Sequence, residues 1–108
     1  MVILDDELRK LKEKILILGC LVEEGIRKAV KSLIERESEL AKQVISRDNL
    51  INGLEVDINE ECIRLIALKQ PMAKDLRFIT TAMKICTDLE RMGDLAVNIA
   101  ERAIELAQ

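Results

Sequence analysis

Apolar residues recur at spacings of three and four along the first third of the chain: Leu4, Leu8, Leu11, Ile15, Leu18, Val22, Ile26, Ala29 and Leu33. At 3.6 residues per turn they share one face, so the pattern predicts a long amphipathic helix over about residues 4–36. Asp5, Asp6 and Glu7 suit the positive end of its dipole, and Arg27, Lys28 and Lys31 suit the later turns. Glu35-Arg36-Glu37-Ser38 interrupts the stripe, with Ser38 the candidate N-cap of a second helix. A second stripe, Leu40, Val44, Ile51, Leu54, Ile58, Cys62, Leu65 and Leu68, predicts that helix over about 38–69. Gln70-Pro71 ends it, because proline lacks a backbone donor and pushes the residue before it out of helical geometry. Proline also suits a first helical turn, so a third helix is expected over about 71–107. Its apolar face carries Leu76, Ile79, Met83, Cys86, Leu89, Met92, Ala96, Ile99, Ala103 and Leu106. Tight links make neighbours antiparallel, which gives an all-α, up-down-up three-helix bundle over the whole of residues 1–108.

One stretch breaks the amphipathic rule. From Ile15 to Val22 the first helix is apolar on every side. A bundle helix needs a single apolar stripe, and a monomer seldom exposes such a surplus, so self-association as a homodimer is expected.

Composition narrows the function classes. Apolar residues are 49% and charged residues 34% of the chain, with one aromatic (Phe78), four Gly and one Pro, which disfavours a β-rich fold. The net charge of −3 is spread along the sequence with no basic stripe or aromatic platform, so no nucleic-acid partner is expected. The all-apolar run is far shorter than the ~20 residues of a membrane span. The expectation is a cytoplasmic protein that meets a membrane only through its partners. Histidine is absent, which removes the commonest general base and the Glu-x-x-His pairs of helical di-metal enzymes, so an enzyme is not expected. Cys20, Cys62 and Cys86 have no Cys-x-x-Cys spacing and lie in apolar contexts, where thiols are expected as small buried hydrophobes.

The chemically suggestive segment is Asp88-Leu89-Glu90-Arg91-Met92-Gly93-Asp94. Glu90 and Asp94, four apart, point to one face of the third helix. Folding the second and third helices about Pro71 places Asn52 level with Glu90 and Asp48 level with Asp94. Folding the first helix about Glu37 brings Glu23 and Glu24 to the level of residues 51 and 50. Several carboxylates and one amide make an oxygen-only ligand set that suits iron, manganese, magnesium or calcium. Glu90, Asp94, Asp48 and Asn52 are the candidate metal ligands, with Glu23 at the margin. Gly93 between the acids is read as a close-packing position. In Gln70-Pro71-Met72-Ala73-Lys74-Asp75-Leu76-Arg77, Asp75 suits the dipole of the third helix, and the segment is read as a fixed connection.

These residues carry a family resemblance. Gly19-x-x-Val22-Glu23, Asn52-x-x-Glu55, Ile58-Asn59-Glu60-Glu61-Cys62, the Gln70–Arg77 run and Glu90-Arg91-Met92-Gly93-Asp94, in order and at this spacing, resemble one repeat of the PhoU family. The resemblance implies a three-helix bundle that acts in phosphate homeostasis. It implies docking on the phosphate ABC transporter and its sensor kinase, repression of starvation signalling when phosphate is ample, and no catalytic activity. It further implies iron, zinc or other metals bound through acidic E/D-x-x-x-D motifs. Glu90 and Asp94 match that motif, and Asp48 matches the first acid of its counterpart, where Asn52 replaces the second. PhoU proteins typically hold two repeats, so a single repeat is expected either to pair with itself or to be part of a longer regulator of a transporter or channel. A purely structural helical oligomerisation domain is the reading that would leave the acids as a solvated face.

Overall fold

The computed structural model describes residues 2–108, and of Val2 the backbone alone. Three helices run α1 (Val2–Glu35), α2 (Ser38–Lys69) and α3 (Ala73–Ala107), and each packs against the other two. At 1.5 Å per residue, helices of 32–35 residues are about 50 Å long, which accounts for a rod of 56 × 18 × 17 Å. α1 and α3 are parallel and α2 is antiparallel to both, the up-down-up order expected from the short links.

Both links use left-handed residues. Arg36 (φ 55°) follows α1, and the Glu37 N–H reaches back to the Ser32 carbonyl at 3.0 Å, closing the helix end as a Schellman-type turn. Gln70 (φ 46°) ends α2, Pro71 lies outside both helices and Met72 is extended, so α3 starts at Ala73 rather than at Pro71. Glu37, not Ser38, occupies the extended N-cap position of α2, without a side-chain cap. Asp75 lies in the first turn of α3, and its N–H donates to the Met72 carbonyl at 3.1 Å.

Two cores fill the rod. The lower two thirds hold large side chains, with Leu11, Leu18, Ile58, Leu65 and Ile79 fully buried around Cys62 and Cys86. The upper end is lined by Ala29, Ala41, Ala96, Ala100 and Ala103 with Val44, small residues that let the helices draw close. Gly25 belongs to this close approach: a Cβ there would sit 4.0 Å from the Cβ of Ala96. Ser32, rather than the expected Leu33, takes the next core position of α1 and satisfies its hydroxyl on the Ala29 carbonyl at 2.7 Å. Leu33, Leu68, Leu76, Met92 and Leu106, which their spacing assigns to core faces, are instead exposed by at least a third. Three helices enclose only a narrow strip of each, so the edges of each stripe remain outside.

Ion pairs set the α1–α2 register. Lys14 meets Asp57 at 3.2 Å, Arg47 meets Glu24 at 3.8 Å, and Arg64 bridges Glu7 at 3.0 Å and Glu61 at 2.6 Å. Glu24 therefore lies level with residue 47, about one turn from the level of residue 50 expected from a fold about Glu37.

The cysteines divide. Cys62 and Cys86 are buried, and burial pushes both thiols up to about 11, whereas Cys20 is exposed, against the expectation that all three would pack inside. The exposure follows from its place on the outer side of α1, in the run that is apolar all round. In dilute native protein one thiol is expected to react with a disulfide reagent at an ordinary rate. The other two should react at least about a hundredfold more slowly, through lost thiolate and lost access. Stopped-flow thiol titration checks this, and three equivalent thiols would contradict the packing.

Candidate functional site

The candidate site is the groove between α2 and α3. On α2 the polar residues Asp48, Asn52, Glu55 and Asn59 recur at four, three and four, forming one stripe on the side of the helix that meets α3. Each amide holds the acid one turn before it. Asn52 Nδ2 donates to Asp48 Oδ2 at 3.2 Å, and Asn59 Nδ2 donates to Glu55 Oε2. The stripe thus presents two carboxylates, each fixed through one oxygen. The other oxygen of Asp48, Oδ1, is buried with no hydrogen-bond partner.

Across the groove, Gly93 brings the α3 backbone in close. A Cβ on Gly93 would meet Ile51 Cγ2 at 3.6 Å and Asp48 Oδ1 at 4.0 Å. The first distance is ordinary van der Waals contact, so Gly93 is a packing position without being an obligatory one. Glu90 and Asp94 flank it, with Glu90 half-buried and Asp94 exposed. The sequence register about Pro71 is reproduced: Asp48 and Ile51 lie beside Gly93, within one or two residues of the partners obtained by folding at the proline.

Electrostatics tie these groups together. The Glu90 carboxyl is raised above the ordinary value of 4.5, first by hydrogen bonding to Asp94, then by burial, then by the negative charges of Asp94, Glu55 and Asp48. Glu90 and Asp94 thus face the two acids of the α2 stripe across the groove. Among the described residues no three His, Cys, Asp or Glu side chains are converged as a ready metal cluster. One oxygen of Asp48 already accepts from Asn52.

Of the candidates read from sequence, the structure brings Asp48, Asn52, Glu90 and Asp94 to this groove and leaves Glu23 away from it. Glu23 is exposed on α1, accepts from Arg27 Nη2 at 3.0 Å, and borders a different groove formed with Leu89 and Met92. Sequence reasoning missed Glu55 as a member of the site. The signal was present in the Asp48-Asn52-Glu55-Asn59 spacing, seven residues on from Asp48 and on the same face.

Glu90 gives the site a pH signature. Because its folded-state proton affinity exceeds the unfolded one, its charge is a stability penalty above the folded pKa. The penalty fades as pH falls through the window down to about 4.5. Glu90→Gln, with chelator present, is expected to stabilise the bundle at pH 7 by a few tenths of a kcal/mol, the size of a like-charge pair four apart. The gain should shrink towards zero by pH 4.5. Urea unfolding of both proteins across this range reads it. Comparison with the parent cancels Glu61, whose carboxyl Arg64 holds below the ordinary range and whose contribution runs in the opposite direction.

The fold and sequence recur in known proteins. The family model of the PhoU domain fits residues 15–103. The phosphate-specific transport system accessory protein PhoU homolog of Aquifex aeolicus is 54% identical over 102 residues, covering 94% of this chain and 46% of that protein. The Escherichia coli accessory protein PhoU is 38% identical over 99 residues, covering 92% of this chain and 41% of its own length. The crystal structure of PhoU from Pseudomonas aeruginosa superposes with a TM-score of 0.93 at 45% identity, over 95% of this chain and 49% of that one. The chain spans a little under half the length of these relatives. A family match over most of the residues, carried on the same three-helix architecture, places this chain in the PhoU family.

Proposed function

We propose that this chain is a regulatory module of phosphate uptake and phosphate-starvation signalling, acting by docking rather than by turnover. The observation that carries the reading is its 54% identity over 102 residues with a protein named as an accessory of the phosphate-specific transport system. On this reading its partners are the phosphate ABC transporter and the sensor kinase, met at the cytoplasmic side of the membrane. No helix among the described residues is long and apolar enough to cross a membrane itself. Apolar grooves suit such docking, notably that of Ile17, Leu21, Leu50, Gly53 and Leu54 between α1 and α2.

The test is to supply the chain to a bacterium lacking its own PhoU. Repression of a starvation-induced phosphatase reporter in phosphate-rich medium should return, and the chain should co-purify with transporter or kinase subunits. A folded, expressed chain that leaves the reporter fully induced and captures neither component overturns the reading.

A second reading concerns the acidic groove, which we propose as a site for a hard cation such as manganese, magnesium or iron. Two features favour it: the orphaned, buried Asp48 Oδ1, and the set of oxygen donors around it. Zinc, which favours nitrogen and sulfur donors, fits the set less well. Asp48, Glu90 and Asp94 would hold the ion, with Glu55 or the free Asn52 carbonyl as further oxygens. The ion would supply the positive charge that the four acids lack, and so offset the repulsion between them.

A further inference from the structure

The link between α2 and α3 closes one end of the rod, and large apolar side chains stand exposed around it. Met72 is 80% and Leu68 68% exposed, with Leu76 exposed by a third. The α1–α2 ion pairs step together, Glu24 with Arg47, Lys14 with Asp57 and Glu7 with Arg64, which sets Ile3 level with Leu68. Ile3 is exposed too, so a fourth apolar side chain joins the same end. Core packing does not need these four, because Leu4, Leu65 and Ile79 already fill the interior there.

Bases flank this apolar end. Lys69, Lys74 and Arg77 lie within five residues of Met72 and are opposed by one acid, Asp75, a net charge of +2 in a chain whose total is −3. Lys74 and Arg77 are exposed. At the start of α1, Asp6 is answered by Arg9 at 3.4 Å and Glu7 by Arg64 at 3.0 Å, which leaves Asp5.

An apolar tip with a basic collar is complementary to a surface that is negative outside and apolar beneath, which is a bilayer with acidic headgroups. Lysine and arginine lay their stems along the acyl boundary and keep their charged heads at the phosphates. Shape decides between a membrane and a protein partner. The link is the end of a rod whose backbone is only 18 × 17 Å across, so an end-on contact falls short of the roughly 800 Å² per partner of a specific protein interface. A bilayer sets no such minimum: each base near an anionic surface contributes roughly fivefold in affinity, and buried apolar side chains add to it. We infer that the α2–α3 end of the rod is a contact for an anionic membrane surface, met directly and end-on rather than through partners alone. The contact asks nothing of a transporter or kinase, so vesicles by themselves test it.

The purified chain is expected to float with vesicles that are one-third phosphatidylglycerol in phosphatidylcholine. Vesicles of phosphatidylcholine alone should bind it at least tenfold more weakly, and high salt should release it from the anionic ones. Met72→Glu, and Lys74→Glu combined with Arg77→Glu, should each weaken binding at least tenfold with unchanged circular dichroism, since these side chains are exposed. The chain has no Trp or Tyr, so Met72→Trp supplies a single fluorescent reporter. Its emission should move to the blue with anionic vesicles, whereas Leu95→Trp, at an exposed position about six turns further along α3, should not respond. A chain that ignores anionic vesicles, binds neutral ones equally well, or shifts equally from both reporters overturns the assignment. If vesicles are ignored while Met72→Glu loses co-purification with transporter or kinase subunits, this end docks on protein, which overturns it as well.

Discussion

Leu18→Ala is expected to destabilise the bundle by about 3 kcal/mol, whereas Leu16→Ala, two residues earlier in the same apolar run, should stay within about 0.5 kcal/mol. Leu18 is fully buried in the large-residue core, while Leu16 is 69% exposed. Truncating Leu18 removes its transfer free energy and leaves a cavity in the large-residue core, which long, regular helices are poorly able to close. For a chain of this size, about 3 kcal/mol corresponds to roughly 12 °C in the unfolding midpoint. Urea and thermal unfolding at low micromolar concentration, where association contributes little, compares the two variants. Equal losses would mean that the run Ile15–Val22 is buried on both sides and that α1 has no outer face.

That contrast marks where the sequence is legible. The core stripe of α1 is correctly given by its spacing at Leu4, Leu8, Leu11, Leu18, Val22 and Ala29, because a 3.6-residue period and a buried face are the same fact seen twice. The surplus at Leu16 and Ile17 is visible as a surplus. Its direction is not, since a helix that is apolar all round carries no internal mark of which side its neighbours take. Leu33 and Ser32 exchange their expected places for a related reason. Hydropathy ranks leucine inside, but a serine that can return its hydroxyl to a carbonyl one turn back costs little to bury, and the centre of the alanine-lined end favours small side chains. Cys20 is misplaced by treating its apolar neighbours as evidence of burial in a stretch where neighbours carry no such information.

The acidic groove is legible to the extent that its register is. Proline fixes the α2–α3 turn, so counting from Pro71 brings Asp48 beside the Glu90–Asp94 segment to within a turn. The α1–α2 turn has no such marker, and there the count misses by about a turn, which is part of why Glu23 stands among the candidates. Glu55 escapes notice when attention follows the acid-x-x-x-acid spacing. The α2 stripe instead alternates acid and amide, each amide anchoring the acid before it. Chemistry carried by a pair of unlike residues is harder to see in a sequence than chemistry carried by a repeated one.

Manganese added at a hundred times its dissociation constant is expected to stabilise the chain by about 2.7 kcal/mol, near 10 °C in the unfolding midpoint, if the groove holds a hard cation. The Glu90→Ala/Asp94→Ala double variant should show no such shift, and Glu90→Gln makes the test sharper because its sign must change. With chelator present, the neutral amide relieves repulsion with Asp94, Glu55 and Asp48, so the variant is the more stable protein at pH 7. With manganese present, the same substitution exchanges a charged ligand for a neutral one beside the orphaned Asp48 oxygen, and the variant becomes the less stable protein. Thermal unfolding of parent and variant, each with chelator and with manganese, measures both signs in one experiment. A Glu90→Gln variant that stays ahead in both conditions would show that the carboxylates repel one another with no ion held between them. In that case the groove's role would lie in docking and not in metal.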